Sequence, residues 1–466
     1  MIAIRKKIAR VHEKIRQKEI EFVKEAQIIG TTLAKAASDP TIYEKDYDIV
    51  IVDEASMAYV PQAGFAASLG KHVIISGDFK QLPPIASARH PLVNHWLKED
   101  IFHRANVVDS LQVGKLHPQL FLLKEQRRMH PDISAFTNRV IYKSLVGDHK
   151  SVITNRNDIV AKAPFPNRAS IMIDTSFTGQ HAINERTSNS RLNLFNLMLS
   201  FQLLHESYLA GARSIGYVSP YRAQANLMET LLNDLYKQEH STADIISATV
   251  HRFQGSERDV MIFDTVDSYP QERAGMLLTG KESERLINVA ITRTKGKFIQ
   301  VSDTSFIGRH VYPSKTLRQL VEHQKRSNQN VQMKEVGSWI KNQHSKVQWM
   351  HARKLERVFN DIQASKRSII ISLPEQTTLS ENWSDQLTKR NKKVKLTMIS
   401  SEKIEGVDSQ EWLYSSIPFP FVIIDKRYLW LGLPIEGAKC VQPPYLAIRL
   451  DSVAFTEQFL SQLPIK

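Results

Sequence analysis

Apolar residues recur at Ile4, Ile8, Val11, Ile15 and Phe22, close to the period of a helical turn, with mostly charged residues between them. The spacing predicts one amphipathic helix at the start of the chain. Residues 1–24 hold eight Lys or Arg and three Glu, read as the solvated face of a helix packed on the next domain, with direct phosphate contact as the alternative. After Phe22 the period changes. Short apolar runs at Gln27–Thr32, Asp48–Asp53 and His72–Gly77 each end in polar or small residues, and the rhythm returns at Ser214–Ser219, Asp259–Thr265 and Phe298–Ser302. Such runs between helical or loop segments predict buried parallel strands with reactive residues at their C-terminal ends. Two α/β layers are expected rather than one.

Lys143–Asn167, rich in Asn, Lys and Pro and holding Pro164 and Pro166, predicts an irregular excursion within the second layer. In Gln324–Gln332, Ser, Asn and Gln replace apolar periodicity, which marks a linker. The expected domains are residues 1–115, 116–323, a linker at 324–335 and 336–466. In the last, a helical stretch at Ala352–Ala364 and strands at Ser368–Leu373, Val394–Ser400, Phe421–Asp425 and Tyr428–Gly432 predict a small α/β domain. No internal repeat of solenoid period is present.

Composition narrows the partners. The 466 residues allow several cores, and 42% hydrophobic with 24% charged residues excludes a disordered or fibrous chain. With 62 Lys plus Arg against 48 Asp plus Glu, the net charge of +14 makes a polyanion the first partner to consider. Lys341–Lys395 contributes twelve Lys or Arg against five Asp or Glu, and Lys389, Arg390, Lys392, Lys393 and Lys395 crowd into seven positions, expected to touch phosphates. A lone cysteine, Cys440, allows no internal disulfide or thiolate zinc cluster, and a cytoplasmic chain is expected. No apolar run approaches the roughly 18 to 20 residues of a membrane span, and no membrane partner is expected.

Candidate chemistry sits at two strand ends. In Ile49–Ser56 an apolar strand delivers Asp53 and Glu54 into a small-residue turn. One carboxylate can hold the shell of a Mg²⁺ ion while the other orients and deprotonates an attacking water, although a strand-end Asp-Glu pair on its own is more often a helix N-cap. In Ile74–Pro84, Gly77 permits a tight turn and Pro83-Pro84 stiffens the segment holding Gln81, whose amide can accept from water and donate to phosphate.

With these two segments in order, the chain resembles a superfamily 1 helicase, in the branch that contains the nonsense-mediated-decay RNA helicase and the Okazaki-fragment helicase-nuclease. Asp53-Glu54-Ala55-Ser56 matches motif II and Gly77-Asp78-Phe79-Lys80-Gln81-Leu82-Pro83-Pro84 motif III. Glu125–Pro131 resembles motif IV, with Arg127 where the family usually has Tyr, and Ser219–Gln224 matches the next segment. Thr249–Asp259 resembles motif V, with His251 where Asp is common, and Asn288–Lys295 resembles motif VI. The match covers about residues 26–305. It implies two RecA-like parallel-sheet domains, the first incomplete here, that use ATP and Mg²⁺ to move along single-stranded DNA or RNA, in the 5′→3′ direction. It also implies catalytic roles for Glu54, Gln81, Arg128 and Arg293, the two arginines acting as fingers on the γ-phosphoryl group. Asp53 would hold the metal; Asp53, Asp78, Gly255 and Glu257 would contact the nucleotide. Thr31, Thr32, Tyr221, Thr249 and Gln254 would contact the strand, without reading its sequence.

The phosphate-cradling pattern G-x-x-x-x-G-K-[ST] does not occur. Gly-Lys pairs at 70–71, 114–115, 280–281 and 296–297 lack the flanking residues it requires. Two readings follow: the C-terminal part of a longer or split helicase, with a further polypeptide carrying the loop, or a helicase relic that tethers nucleic acid without hydrolysis. Retention of Asp53, Glu54, Gln81, Arg128 and Arg293 favours the first. The segment Pro418–Gly432 resembles the active-site hairpin of phospholipase D-like nucleases, with Pro418 and Pro420 at the His and Lys positions and Asp425 at the Asp position. The resemblance implies a degenerate, non-cleaving domain; an unrelated basic α/β domain is the alternative.

Overall fold

The computed structural model describes residues 2–112, 115–176, 178–239, 242–332, 335–403, 407, 409–437 and 445–465. The chain divides into two compact units, Met1–Leu122 and Leu123–Lys466.

In the first unit Ile2–Glu25 is the predicted helix. Lys45 Nζ donates to the carbonyls of Val23, Lys24 and Ala26 at 2.7–2.9 Å, placing a cation at the negative end of the helix. The apolar stripe is not seated on this unit, since Ile4, Ile8, Val11, Ile15 and Phe22 are 51–70% exposed. The run Gln27–Thr32 forms no strand. Ile28 is 92% exposed, and Thr32 instead caps the helix Leu33–Ser38 by accepting from Lys35 N at 3.2 Å. The other two runs form parallel strands, Tyr47–Val52 and Gly70–Ile75, with Val52 opposite Ile75. Val50, Val52 and Ile75 pack with Ala63, Ala66 and Phe102, while Ile49, Ile51 and Ile74 on the opposite face stay 52–64% exposed.

The second unit is built on a six-stranded, wholly parallel sheet. Its strands run in the order Asn330–Gln332, Ser170–Asp174, Thr294–Ser302, Arg258–Asp264, Ser214–Ser219 and Asp244–Thr249. The three predicted runs are its centre, and Ile215, Met261, Ile262, Phe263, Phe298 and Ile299 are buried. Two expectations change. Residues 324–335, expected as a linker, begin inside the helix Thr316–Arg326, where Gln324 is fully buried, and continue into the edge strand Asn330–Gln332. The excursion Lys143–Asn167 contains the regular helix Ser151–Val160, packed so closely on the sheet that a Cβ at Gly296 would lie 2.6 Å from Ile159.

The four predicted C-terminal strands lie in a mixed seven-stranded sheet completed by three that were not predicted, Val347–His351, Leu446–Asp451 and Glu411–Tyr414; the spatial order is Val347–His351, Leu446–Asp451, Tyr428–Leu431, Phe421–Ile424, Ser368–Ser372, Lys395–Ser400 and Glu411–Tyr414. One face packs with the helices Glu356–Gln363 and Glu381–Thr388 around Trp383 and Trp430. The other shares a core with the six-stranded layer, running from Ile173 and Leu227 to Phe421 and Phe459. Polar contacts close the junction. Buried Glu206 accepts from Lys341 N at 2.8 Å and Asn342 N at 2.7 Å, and Ser452 Oγ donates to Asp234 at 2.7 Å.

Candidate functional site

In the first unit two strand ends are laced together. Ser76 N donates to Val52 O at 2.8 Å, Ala55 N to Ser76 O at 2.9 Å, and Ser76 Oγ to Asp53 Oδ1 at 3.0 Å. Gly77 is required by this approach, because a Cβ there would lie 3.0 Å from Ala55 N and 3.1 Å from Phe102. Glu54, with φ of 49°, occupies the left-handed region that a side chain ordinarily avoids, the kind of local strain found at functional turns. Asp78 fixes Gln81: Oδ2 accepts from Gln81 Nε2 at 3.0 Å, Oδ1 from Lys80 N at 2.9 Å, and its carbonyl from Gln81 N at 2.9 Å. Asp53, Glu54, Asp78 and Gln81 are thus brought to one edge of the two-stranded sheet. Thr31 and Thr32 are both exposed, and the Thr32 hydroxyl is engaged as the helix cap.

These residues fit a Mg²⁺ ion. Asp53 is an exposed carboxylate with one oxygen turned to Ser76, and Mg²⁺ is commonly held by one or two carboxylates with waters and phosphate oxygens. Among the described residues no group of three or more His, Cys, Asp or Glu forms a cage that would hold an ion by itself.

In the second unit Arg128 projects from the turn before the helix Pro131–Phe136 and is held from several sides. Its backbone N donates to Gln126 Oε1 at 2.8 Å and its carbonyl accepts from Arg156 Nε at 2.7 Å. Its guanidinium donates to Glu257 Oε2 at 2.7 Å and to Thr292 O at 3.1 Å. The second oxygen of Glu257 lies 3.0 Å from Lys295 Nζ, which also stands 3.7 Å from Asp259. Burial would raise the Glu257 pKa, but the hydrogen bonds from Lys295 and Arg128 outweigh it and hold the carboxyl below its ordinary value. Arg293 follows the helix Ser283–Thr292; its side chain is almost fully buried and reaches Ser256 O at 3.5 Å. Gly255, at φ of 81°, makes the turn that sets Ser256 and Glu257 between the two arginines. The structure therefore brings Arg128, Arg293, Gly255 and Glu257 together, and adds Lys295, whose place beside Arg293 in the sequence was the available signal for it.

The strand-contact residues separate into two kinds. Thr249 and Gln254 bracket the short 3-10 turn Val250–Phe253 at the end of a parallel strand, both partly exposed, and Gln254 Nε2 is a buried donor without a partner. Tyr221 departs from expectation. It is 6% exposed and its hydroxyl donates to buried Asp267 at 2.7 Å, a carboxylate that also takes Arg191 Nη1 at 2.8 Å and Gly275 N at 2.6 Å. Burial, followed by the Asp267 charge, pushes the phenol upward, so Tyr221 braces the sheet rather than presenting a face to a strand.

Two units with parallel strands, one with a carboxylate-amide turn and the other with a pair of arginines around a glycine turn, are consistent with RecA-like domains. The comparisons agree. Two family profiles, each described as an AAA domain, match residues 2–89 and 104–305. The chain is 27% identical over 300 residues to the Regulator of nonsense transcripts 1 homolog of Neurospora crassa, covering 63% of this chain and 26% of that protein. Helicase sen1 of Schizosaccharomyces pombe is 28% identical over 304 residues, covering 60% and 16% of the two chains. A probable helicase of Dictyostelium discoideum is 30% identical over 315 residues, covering 66% and 29%. The chain thus spans less than a third of each of these relatives. Together the matches show that the chain is similar to helicases over much of its length.

Proposed function

We propose that this chain carries the hydrolytic and strand-contacting parts of an ATP-dependent helicase or translocase on single-stranded DNA or RNA, with the phosphate-binding loop on a further polypeptide segment. The observation that carries it is the laced pair of turns in the first unit, where Ser76, Gly77 and Asp78 fix Asp53, Glu54 and Gln81 at adjacent strand ends. The exposed face of Ile49, Ile51 and Ile74 supports a covering segment.

Glu54 takes the proton of the attacking water and Gln81, steadied by Asp78, orients it. Arg128 and Arg293 neutralise charge developing on the transferred phosphoryl group. A Mg²⁺ ion beside Asp53, when bound, neutralises phosphate charge. Thr31, Thr32, Thr249 and Gln254 contact the strand by hydroxyl, amide and main-chain groups, which fix position without reading bases. The relatives' printed names, which include helicases, favour this reading over a tether. Residues 336–466 are read as a degenerate phospholipase D-like domain that does not cleave, because Pro418 and Pro420 supply neither nucleophile nor cation.

ATP hydrolysis measured with single-stranded nucleic acid tests the proposal. The 466-residue chain alone turns over weakly or not at all, and turnover rises when a segment bearing the loop is supplied. Robust turnover by the chain alone would sink the two-segment reading, and none under either condition would favour the tether.

A further inference from the structure

The basic run Lys389–Lys395 does not act as one surface. Arg390 is 3% exposed, donating Nη1 to Leu387 O at 2.7 Å and Nη2 to Gln410 at 3.3 Å, and Lys395 pairs with Glu411 at 3.0 Å. The fold instead gathers cations from separate parts of the sequence at one end of the seven-stranded sheet. Ser368 is in register with Lys395, and Ile369 with Ile424, so the segments before two parallel strands and after an antiparallel one meet there. Lys395 N donates to Arg367 O at 3.0 Å. Asp425, which attracts Arg367, already accepts from the backbone N–H groups of Lys366, Arg367 and Ser368 at 2.7–3.2 Å. Lys366, Arg367, Lys393 and Lys426, on the segments that meet there, are exposed.

Charge compensation along this end is uneven. On the side nearer the six-stranded layer, Arg427 pairs with Asp451 at 2.6 Å and Lys346 with Asp234 at 3.6 Å. At the outer strands the side chains of Lys366, Lys393 and Lys426 form no ion pair among the described residues. Neighbouring like charges repel, so such a cluster is relieved by a polyanion. Three adjacent strand ends span about 10 Å, room for two or three phosphates of an extended strand.

We infer that this end of the C-terminal sheet is a second nucleic-acid site, built from Lys366, Arg367, Lys393 and Lys426, which grips the phosphate backbone of a single strand without reading bases. It requires no nucleotide, so it can be tested separately from hydrolysis, and a failure of the hydrolytic reading leaves it standing. An acidic polypeptide is the competing occupant, disfavoured because three adjacent strand ends match the reach of two or three phosphates of an extended strand.

The test is the salt dependence of binding of labelled oligothymidylate to the full chain, without nucleotide, for the wild type and for the variant Lys366→Gln, Arg367→Gln, Lys393→Gln, Lys426→Gln. Because Asp425 is held by main-chain N–H groups, the substitutions leave its anchoring in place. The slope of log K against log[salt] should flatten by about two to three, at roughly 0.7 for each phosphate no longer neutralised, with weaker binding at moderate salt. If that variant does not fold, the pair Lys393→Gln, Lys426→Gln should flatten it by about one to one and a half. An unchanged slope in a folded variant overturns the inference, as does an unchanged slope accompanied by loss of polyglutamate binding, which would make the surface a protein-docking site.

Discussion

The strands Tyr47–Val52 and Arg258–Asp264 are both apolar and both pair in parallel, yet they meet different surroundings. In the first, Ile49 and Ile51 are 56% and 64% exposed; in the second, Met261, Ile262 and Phe263 are fully buried between two neighbouring strands and covering helices. An apolar run states that a strand needs cover on both faces, not what supplies the cover. The turns holding Asp53, Glu54 and Gln81 therefore sit on a two-stranded sheet with one face open, whereas Arg128 and Arg293 sit on a complete core.

The largest expected effect comes from cutting the same side chain in each. Ile262→Ala should cost about 2–5 kcal/mol, the range for a buried isoleucine, and Ile51→Ala well under about 1 kcal/mol. Urea unfolding of the two variants decides it; comparable losses would mean that the face of Ile51 is already covered in solution.

Gly275→Ala probes the second unit from a different direction. A Cβ at this position would lie 1.9 Å from the Tyr221 hydroxyl and displace it from Asp267, leaving a buried carboxylate short of a donor. A loss of about 3 kcal/mol is expected in thermal or urea unfolding. A near-neutral result would show that Tyr221 can move outward, which would return it to the strand-contact residues.

The junction between the six-stranded layer and the C-terminal sheet gives a pH-dependent effect. His205 stacks near Phe201, bonds the Tyr236 hydroxyl at 2.5 Å and lies edge-on to His344; burial, then the His344 charge, lowers its pKa to about 4. The folded state keeps His205 neutral where the unfolded chain, near pKa 6.5, takes up a proton. Stability contributed in this way is complete above about pH 6.5 and falls as the pH drops towards 4. At pH 5 the loss is about 2 kcal/mol relative to pH 7, and His205→Gln should flatten that slope. A pH-independent urea midpoint in the wild type between 7 and 5 would rule this out.

The smallest effect on stability is expected at Glu257. Its ion pairs with Arg128 and Lys295 are partly exposed and contribute about 0.2–1 kcal/mol each at most, so Glu257→Gln should barely move the unfolding midpoint. The same change releases Arg128 from its carboxylate and leaves Lys295 only the longer contact to Asp259, and tripolyphosphate should bind the full chain several-fold more tightly. Weaker binding would instead make Glu257 a direct ligand.

What the sequence made legible was local. The Asp53-Glu54 and Gly77–Pro84 turns could be read because each depends on its own strand and a few following residues. Arg128 and Arg293 needed the resemblance, since the groups that position them, Glu257 and Ser256, are remote from at least one of them. Tyr221 was misplaced because its burial rests on Asp267 and Gly275, a distant loop that no pattern around Tyr221 announces. The supposed linker misled for a related reason: polar Asn330–Gln332 is an edge strand, where backbone pairing suffices without an apolar run. The cationic sheet end was hidden because Lys366 and Lys426 approach only through strand register.

The most direct test of the hydrolytic account is strand-stimulated ATP turnover by the protein supplied with a segment bearing the phosphate-binding loop, wild type against Glu54→Gln. If Glu54 takes the water's proton, turnover falls by about 10²–10⁴-fold while nucleotide and single-strand affinities stay within a few-fold of wild type. Equal turnover in the two proteins would contradict the account.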